Sequence, residues 1–133
     1  MRYFDLHADT PRVCFQRGVT PDDNSLAAAV SKGETFESWY QCYAVFIPDV
    51  CEDPVLEYES IISDFKRKIS TFDKPKCIFT LENALPVGSI DFVRRLVENN
   101  VKAVTLTWNG ENHIAGGVDS DSGLTPFGKQ VIN

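Results

Sequence analysis

Residues 39–47 read Trp39-Tyr40-Gln41-Cys42-Tyr43-Ala44-Val45-Phe46-Ile47. Pro48, an acidic loop over 48–54, a long stretch from Val55 to Thr71 and the apolar run from Cys77 to Leu81, ending at Glu82, follow. The first run is aromatic and apolar and stops at a proline, the pattern of a strand. In the middle stretch Tyr58, Ile61, Ile62, Phe65, Ile69 and Phe72 recur at helical spacing and make one apolar face, which Lys74-Pro75 interrupts. The run at Cys77 is a strand again. Strand, helix, strand in this order joins two parallel strands through a crossover helix.

The alternation continues outward on both sides. Arg2 to Asp9 has period two, with Phe4, Leu6 and Ala8 on one face and Tyr3, Asp5, His7 and Asp9 on the other. Residues 10–23, with Pro11, Gly18 and Pro21, read as a loop. Asn24 caps an expected short helix, Ser25 to Lys32, which Gly33 ends. Beyond Glu82, Ser89 caps a helix from Ile90 to Asn100 with Val93, Leu96 and Val97 facing inward. A fourth strand follows over Ala103 to Trp108, then a loop rich in glycine and asparagine over 109–123. Thr125-Pro126-Phe127 begins a further helix, with threonine at the cap and proline in the first turn. The expectation is an α/β fold with four parallel strands, residues 1–133 forming one unit. Two architectures fit this pattern: a small doubly wound sheet, or part of a (β/α) barrel.

Of the 133 residues, 43% are hydrophobic and 24% charged, as in soluble globular proteins. The net charge of −6 argues against a nucleic-acid surface and against adsorption to anionic membrane. Apolar runs such as Tyr43 to Ile47 are too short to cross a bilayer. The amino-terminal residues, with an acid at Asp5, do not make a signal peptide. A cytoplasmic location is therefore expected, and there Cys14, Cys42, Cys51 and Cys77, which contain no C-x-x-C pair, read as reduced thiols.

In parallel α/β folds, functional residues gather at the carboxyl ends of the strands. Three such ends carry polar groups here: His7-Ala8-Asp9, Glu82-Asn83 and Trp108-Asn109-Gly110-Glu111-Asn112-His113. His7 and Asp9, two apart on a strand, point the same way, with Asp5 deeper on that face. They are either a strand-end polar pair or two ligands of one divalent cation. Glu82 ends a largely apolar strand and is either a solvated acid or a further ligand. His113, in a loop, reads as structural, and Trp39 and Trp108 as core or rim aromatics. No phosphate-binding glycine loop and no G-x-S-x-G nucleophile turn occurs.

Four segments resemble one family. Phe4-Asp5-Leu6-His7-Ala8-Asp9-Thr10 resembles the opening metal motif of the membrane (renal) dipeptidases, which are zinc metallopeptidases. Leu81-Glu82-Asn83-Ala84 resembles their bridging-glutamate segment. Val104-Thr105-Leu106-Thr107-Trp108-Asn109, followed by Asn112, resembles their fourth-strand signature, and Gly123-Leu124-Thr125-Pro126-Phe127-Gly128 their helix entry. The segments occur in order along essentially the whole chain.

The resemblance implies a (β/α)₈ TIM-type barrel, of which this chain is the N-terminal half, since such a barrel takes roughly 250 residues. It implies two zinc ions, with His7 and Asp9 on the first and Glu82 bridging both. A metal-activated hydroxide would attack the amide carbonyl of a dipeptide. The family pattern has a substrate-contacting histidine where this chain has Trp108, so a changed substrate preference is expected there. Two further metal-ligating histidines and a proton-handling acid lie on later strands in the family, so no catalytic residue is expected within this chain. Zinc is then weakly held or absent, and the chain by itself is inactive. Alternatives are a related amidohydrolase acting on a non-peptide amide, and a non-catalytic oligomerising unit. The open sheet edges of a half-barrel predict a homo-oligomer.

Overall fold

The computed structural model describes residues 1–133. Four strands, β1 (Arg2–Ala8), β2 (Ser38–Phe46), β3 (Lys76–Glu82) and β4 (Val101–Val104), form one sheet. The helices are α1 (Thr10–Arg17), α2 (Pro54–Ile69), α3 (Ile90–Glu98) and α4 (Pro126–Ile132), with a 3₁₀ turn at Val30–Gly33. The strands are all parallel and lie in the order β1-β2-β3-β4.

The sequential order separates the two architectures left open by the pattern. A doubly wound sheet reverses its strand order at a switch point and carries helices on both faces. Here the order never reverses, and the core lies on one face. Tyr43, Val45 and Ile47 are fully buried there, and Tyr43 and Val45 stand in register with Phe79 and Leu81. Tyr43 packs on Phe65 of α2, and Val45 and Leu81 share a cluster with Tyr58, Ile61, Phe92 and Leu96. None of Tyr40, Cys42, Ala44, Ile78 and Thr80, on the opposite face, joins either apolar cluster. That face carries a row of Phe4, Tyr40 and Lys76 in register. The Phe4 and Tyr40 rings stack at 5.7 Å, and the Lys76 ammonium lies 5.1 Å from the centre of the Tyr40 ring. Four consecutive parallel strands with helices on one side are consistent with half of a TIM-type barrel.

Local chemistry explains where the elements depart from the pattern. Thr10–Arg17, expected as loop, is helical. Pro11 fits a first turn because its fixed φ is helical and its missing N–H would have no partner there; Gly18 ends the helix at φ 66°. Arg12 then reaches from α1 to the Phe46 carbonyl (3.1 Å) and the Glu57 carboxylate (2.9 Å), tying α1 to β2 and α2. The expected helix from Ser25 to Lys32 shrinks to the 3₁₀ turn. Asp23 Oδ1 accepts the Ser25 N–H, and Asn24 Oδ1 accepts the Ser31 hydroxyl, so Asn24 is not available as a helix cap. In α3, Phe92 and Leu96 are buried whereas Val97 is 71% exposed, correcting its inward placement. β4 ends at Val104, which leaves Trp108 in the loop that follows.

The segment Gly123–Gly128 acts as a docking device. Thr125 Oγ1 accepts the Gly128 N–H and donates to the His113 carbonyl, while the Thr125 N–H donates to the Ile114 carbonyl. A Cβ on Gly128 would lie 2.1 Å from the Ile114 carbonyl oxygen. No helix is long and apolar enough to cross a membrane. Gly128→Ala is expected to push α4 off the Ile114 backbone and cost about 1–3 kcal/mol; an unchanged urea midpoint would show that α4 is not seated through this contact.

Candidate metal centre

β1 is not a uniform strand. Its register to β2 runs from Arg2↔Ser38 to Asp5↔Gln41 and resumes at Ala8↔Tyr43, so three residues on β1 span two on β2. This bulge overturns the expected faces. Tyr3, Asp5 and Ala8 all fall in register with the helix-side residues Trp39, Gln41 and Tyr43. Asp5 is therefore not a third group beneath His7 on one face. Its Oδ1 accepts the His7 backbone N–H at 3.2 Å, within the bulge. Bulges re-aim side chains, and this one turns His7 toward β3.

Glu82 closes β3 in register with Phe46 and therefore faces away from the helices. His7 Nε2 lies 3.1 Å from Glu82 Oε2 and 3.3 Å from Asp9 Oδ1. The three ligand atoms all lie within 4.8 Å of one another. Asp9 occupies the N-cap of α1, yet its side chain makes no capping hydrogen bond. It forgoes a contact worth about 1 kcal/mol and stands with the cluster.

Two carboxylates around one imidazole suit a cation. A single Nε2–H serves one carboxylate well, and the second is left uncompensated. Burial first, and the Asp9 carboxylate second, push the Glu82 carboxyl above its usual range, while His7 opposes them. Ligand atoms of a tetrahedral zinc at about 2.0–2.1 Å lie roughly 3.4 Å apart, close to the two separations from His7 Nε2. One imidazole and two carboxylates also match the three protein ligands of a catalytic zinc. The His7 and Asp9 side chains are about half exposed, which keeps the centre open to solvent.

Trp108 sits beside this centre. Its ring meets Phe46 edge-on at 5.0 Å, and Phe46 is the register neighbour of Glu82. Trp108 is 43% exposed, a rim residue, whereas Trp39 is buried. His113 does not join the cluster; its Nε2 is 2.7 Å from the Val87 carbonyl. A groove of about 530 Å³ runs along the helix side of β1 past Tyr3, Asp5, Val13, Arg17 and Trp39. His7 and Asp9 touch it but Glu82 and Trp108 do not, so its walls hold only part of the cluster.

A family model described as Membrane dipeptidase (Peptidase family M19) matches residues 52–133, more than half of the chain. The chain belongs to the membrane dipeptidase family. No curated protein and no solved structure matches it. The family match contains Glu82, Trp108 and the Gly123–Gly128 segment. His7 and Asp9 precede it, and their place beside Glu82 comes from the fold.

The residues that sequence reasoning passed over lie behind the centre. Asn83 is fully buried with φ 69°. Its Nδ2 donates to the Ile47 carbonyl (2.9 Å) and to Asp49 Oδ1 (3.0 Å). Its Oδ1 accepts from Asn112 Nδ2 (3.0 Å), and Asp49 Oδ2 accepts the Gly110 N–H (2.8 Å). The signal was an asparagine beyond each of two strand ends, Asn83 and Asn112, to which the residue pattern assigns no role.

Excess Zn²⁺ or Co²⁺ is expected to raise the thermal unfolding midpoint, by the equivalent of about 2.7 kcal/mol at one hundred times Kd. Glu82→Gln should remove most of that gain without lowering the metal-free midpoint. Equal gains in the two proteins would place the cation elsewhere.

Proposed function

We propose that the chain forms part of a metal-dependent dipeptidase, in which His7, Asp9 and Glu82 would hold a zinc ion and Trp108 lies on the substrate side. The observation that carries this reading is the meeting of His7 from β1, and Asp9 just beyond it, with Glu82 from β3, a strand that is not a neighbour of β1. Membership of a dipeptidase family supports the reaction class. Zinc, when bound, lowers the pKa of a water and polarises a carbonyl. The chain's own residues do the rest that is proposed here. His7 and Asp9 would hold the ion, and Glu82 would supply a further carboxylate ligand. Trp108 and Phe46 give the neighbouring wall an apolar surface with one indole N–H donor.

We read residues 1–133 as four βα units of the barrel, and the centre they carry as incomplete. A second zinc would have Glu82 alone, and one carboxylate does not make a site. The chain by itself is therefore proposed to hold one ion weakly and to turn over little or no substrate. Four unpaired cysteines support a cytoplasmic location. Trp108 in place of the family's histidine favours a second reading, an amidohydrolase acting on a non-peptide amide.

The test is a panel of dipeptides and N-acyl amino acids with Zn²⁺ or Co²⁺, run beside a cation titration. Expected are cation binding that needs His7, Asp9 and Glu82, and any turnover confined to dipeptides and lost in Glu82→Gln. Preferred cleavage of N-acyl amino acids would move the reading to the amidohydrolase. A chain that binds no cation would overturn it.

We also propose that the isolated chain self-associates. β1 and β4 are open edges, and the helix-free face exposes Phe4 (53%) beside Tyr40 (36%). Light scattering should give at least twice the mass of one chain, and a monomer mass would count against this.

A further inference from the structure

A buried polar network stands directly behind Glu82. The Glu82 carbonyl accepts the Ile47 N–H at 3.1 Å, and the Asn83 N–H donates to Thr105 Oγ1 at 2.9 Å. The backbone is thus pinned on both sides of the Glu82–Asn83 peptide. At Asn83 the chain takes a left-handed turn, which asparagine tolerates better than most residues. Three of the four side-chain hydrogen-bonding capacities of Asn83 are used, inside a fully buried site.

The members of the network come from three different strand exits. Ile47 and Asp49 follow β2, Thr105 and Asn112 follow β4, and Asn83 follows β3. Asn112 extends the network, donating to the Leu106 carbonyl and accepting the Ile114 and Ala115 N–H groups through Oδ1. The loop bearing Trp108 is consequently fastened on both flanks, at Leu106 and at Gly110. The two nearest substitutes each miss a demand of position 83. Glycine supplies the turn without the amide. Aspartate supplies the acceptor, loses both donations and sets a second carboxylate against Asp49.

We propose that Asn83 is a positioning residue, which, through Asp49 and Asn112, sets the Glu82 carboxylate opposite His7 and holds the Trp108 loop beside it. Its consequence for cation binding rests on the function proposed above; the placing of Glu82 opposite His7 does not. Second-layer groups of this kind commonly change metal affinity by about 10–100-fold when removed.

The test uses the 133-residue protein labelled at histidine, free of metal, with the His7 ring signal followed by NMR. Asn83→Gly should move that signal toward its position in Glu82→Gln, and should weaken Co²⁺ binding, read from the cobalt absorption band, by at least about tenfold. Asp49→Asn, a milder change, should move both readings the same way by less. It also serves if Asn83→Gly fails to fold. Adding Asp49→Asn to Asn83→Asp should recover part of the loss, because the amide introduced at position 49 can donate to the carboxylate introduced at position 83. Lys66→Met, which releases α2 from Asn99 at the opposite end of the sheet, should lower stability and leave the His7 signal in place. An unmoved His7 signal in a folded, destabilised Asn83→Gly or Asp49→Asn variant would overturn the proposal and reduce Asn83 to a structural role. If the unaltered protein binds no Co²⁺ while the His7 signal still moves, the positioning role stands and the metal reading fails.

Discussion

β2 has a different neighbour on each face, and the rest of the molecule is arranged around that asymmetry. Side chains alternate along a strand, so a parallel register fixes which residues of three strands meet the helices together. Tyr43, Val45 and Ile47 point one way and are fully buried. Tyr40, Cys42, Ala44 and Phe46 point the other way. Because Phe46 stands opposite Glu82, the same register that builds the core also delivers an acid to the helix-free side, at the carboxyl end of the sheet. The core and the site are two faces of one constraint.

Regular alternation alone would not assemble the cluster. On an unbroken β1, His7 would share the face of Tyr3 and Asp5, which lies in register with Trp39 and Gln41 on the helix side. One extra residue between Asp5 and Ala8 brings Ala8 onto that face and lets His7 reach Glu82. The Asp5 carboxylate takes up the His7 amide within the bulge. Asp5 therefore shapes the backbone of the site without joining it. On the far side, the Asn83 network fixes the Glu82 backbone. The centre is held by a bulge on one strand and by a buried amide on another.

Such a centre is electrostatically uneasy without a cation. Two carboxylates crowd one imidazole, and burial together with Asp9 raises the Glu82 carboxyl above its usual range. A structure that only needed a stable strand end would leave Asp9 to cap α1. That the carboxylate stands with His7 instead is a local sacrifice of stability of the kind associated with binding sites.

Much of the fold is legible in the residues. The strands around residues 39–47 and 77–82, the helices after Asp53 and Ser89, and the Thr125 cap follow from periodicity and capping chemistry, which act within a few neighbours. The helix at Thr10–Arg17 and the loss of the one near Ser25 are not, because Pro11 suits a first turn as well as a loop and Asn24 turns its oxygen to Ser31. Residue order singles out His7, Asp9, Glu82 and Trp108 as candidates, and the alternation of strand and helix makes the sheet parallel. The strand order, the bulge and the meeting of His7 with Glu82 arise only when the chain folds. They depend on register between strands far apart in the chain, and a period of two read along one strand carries no information about its neighbour.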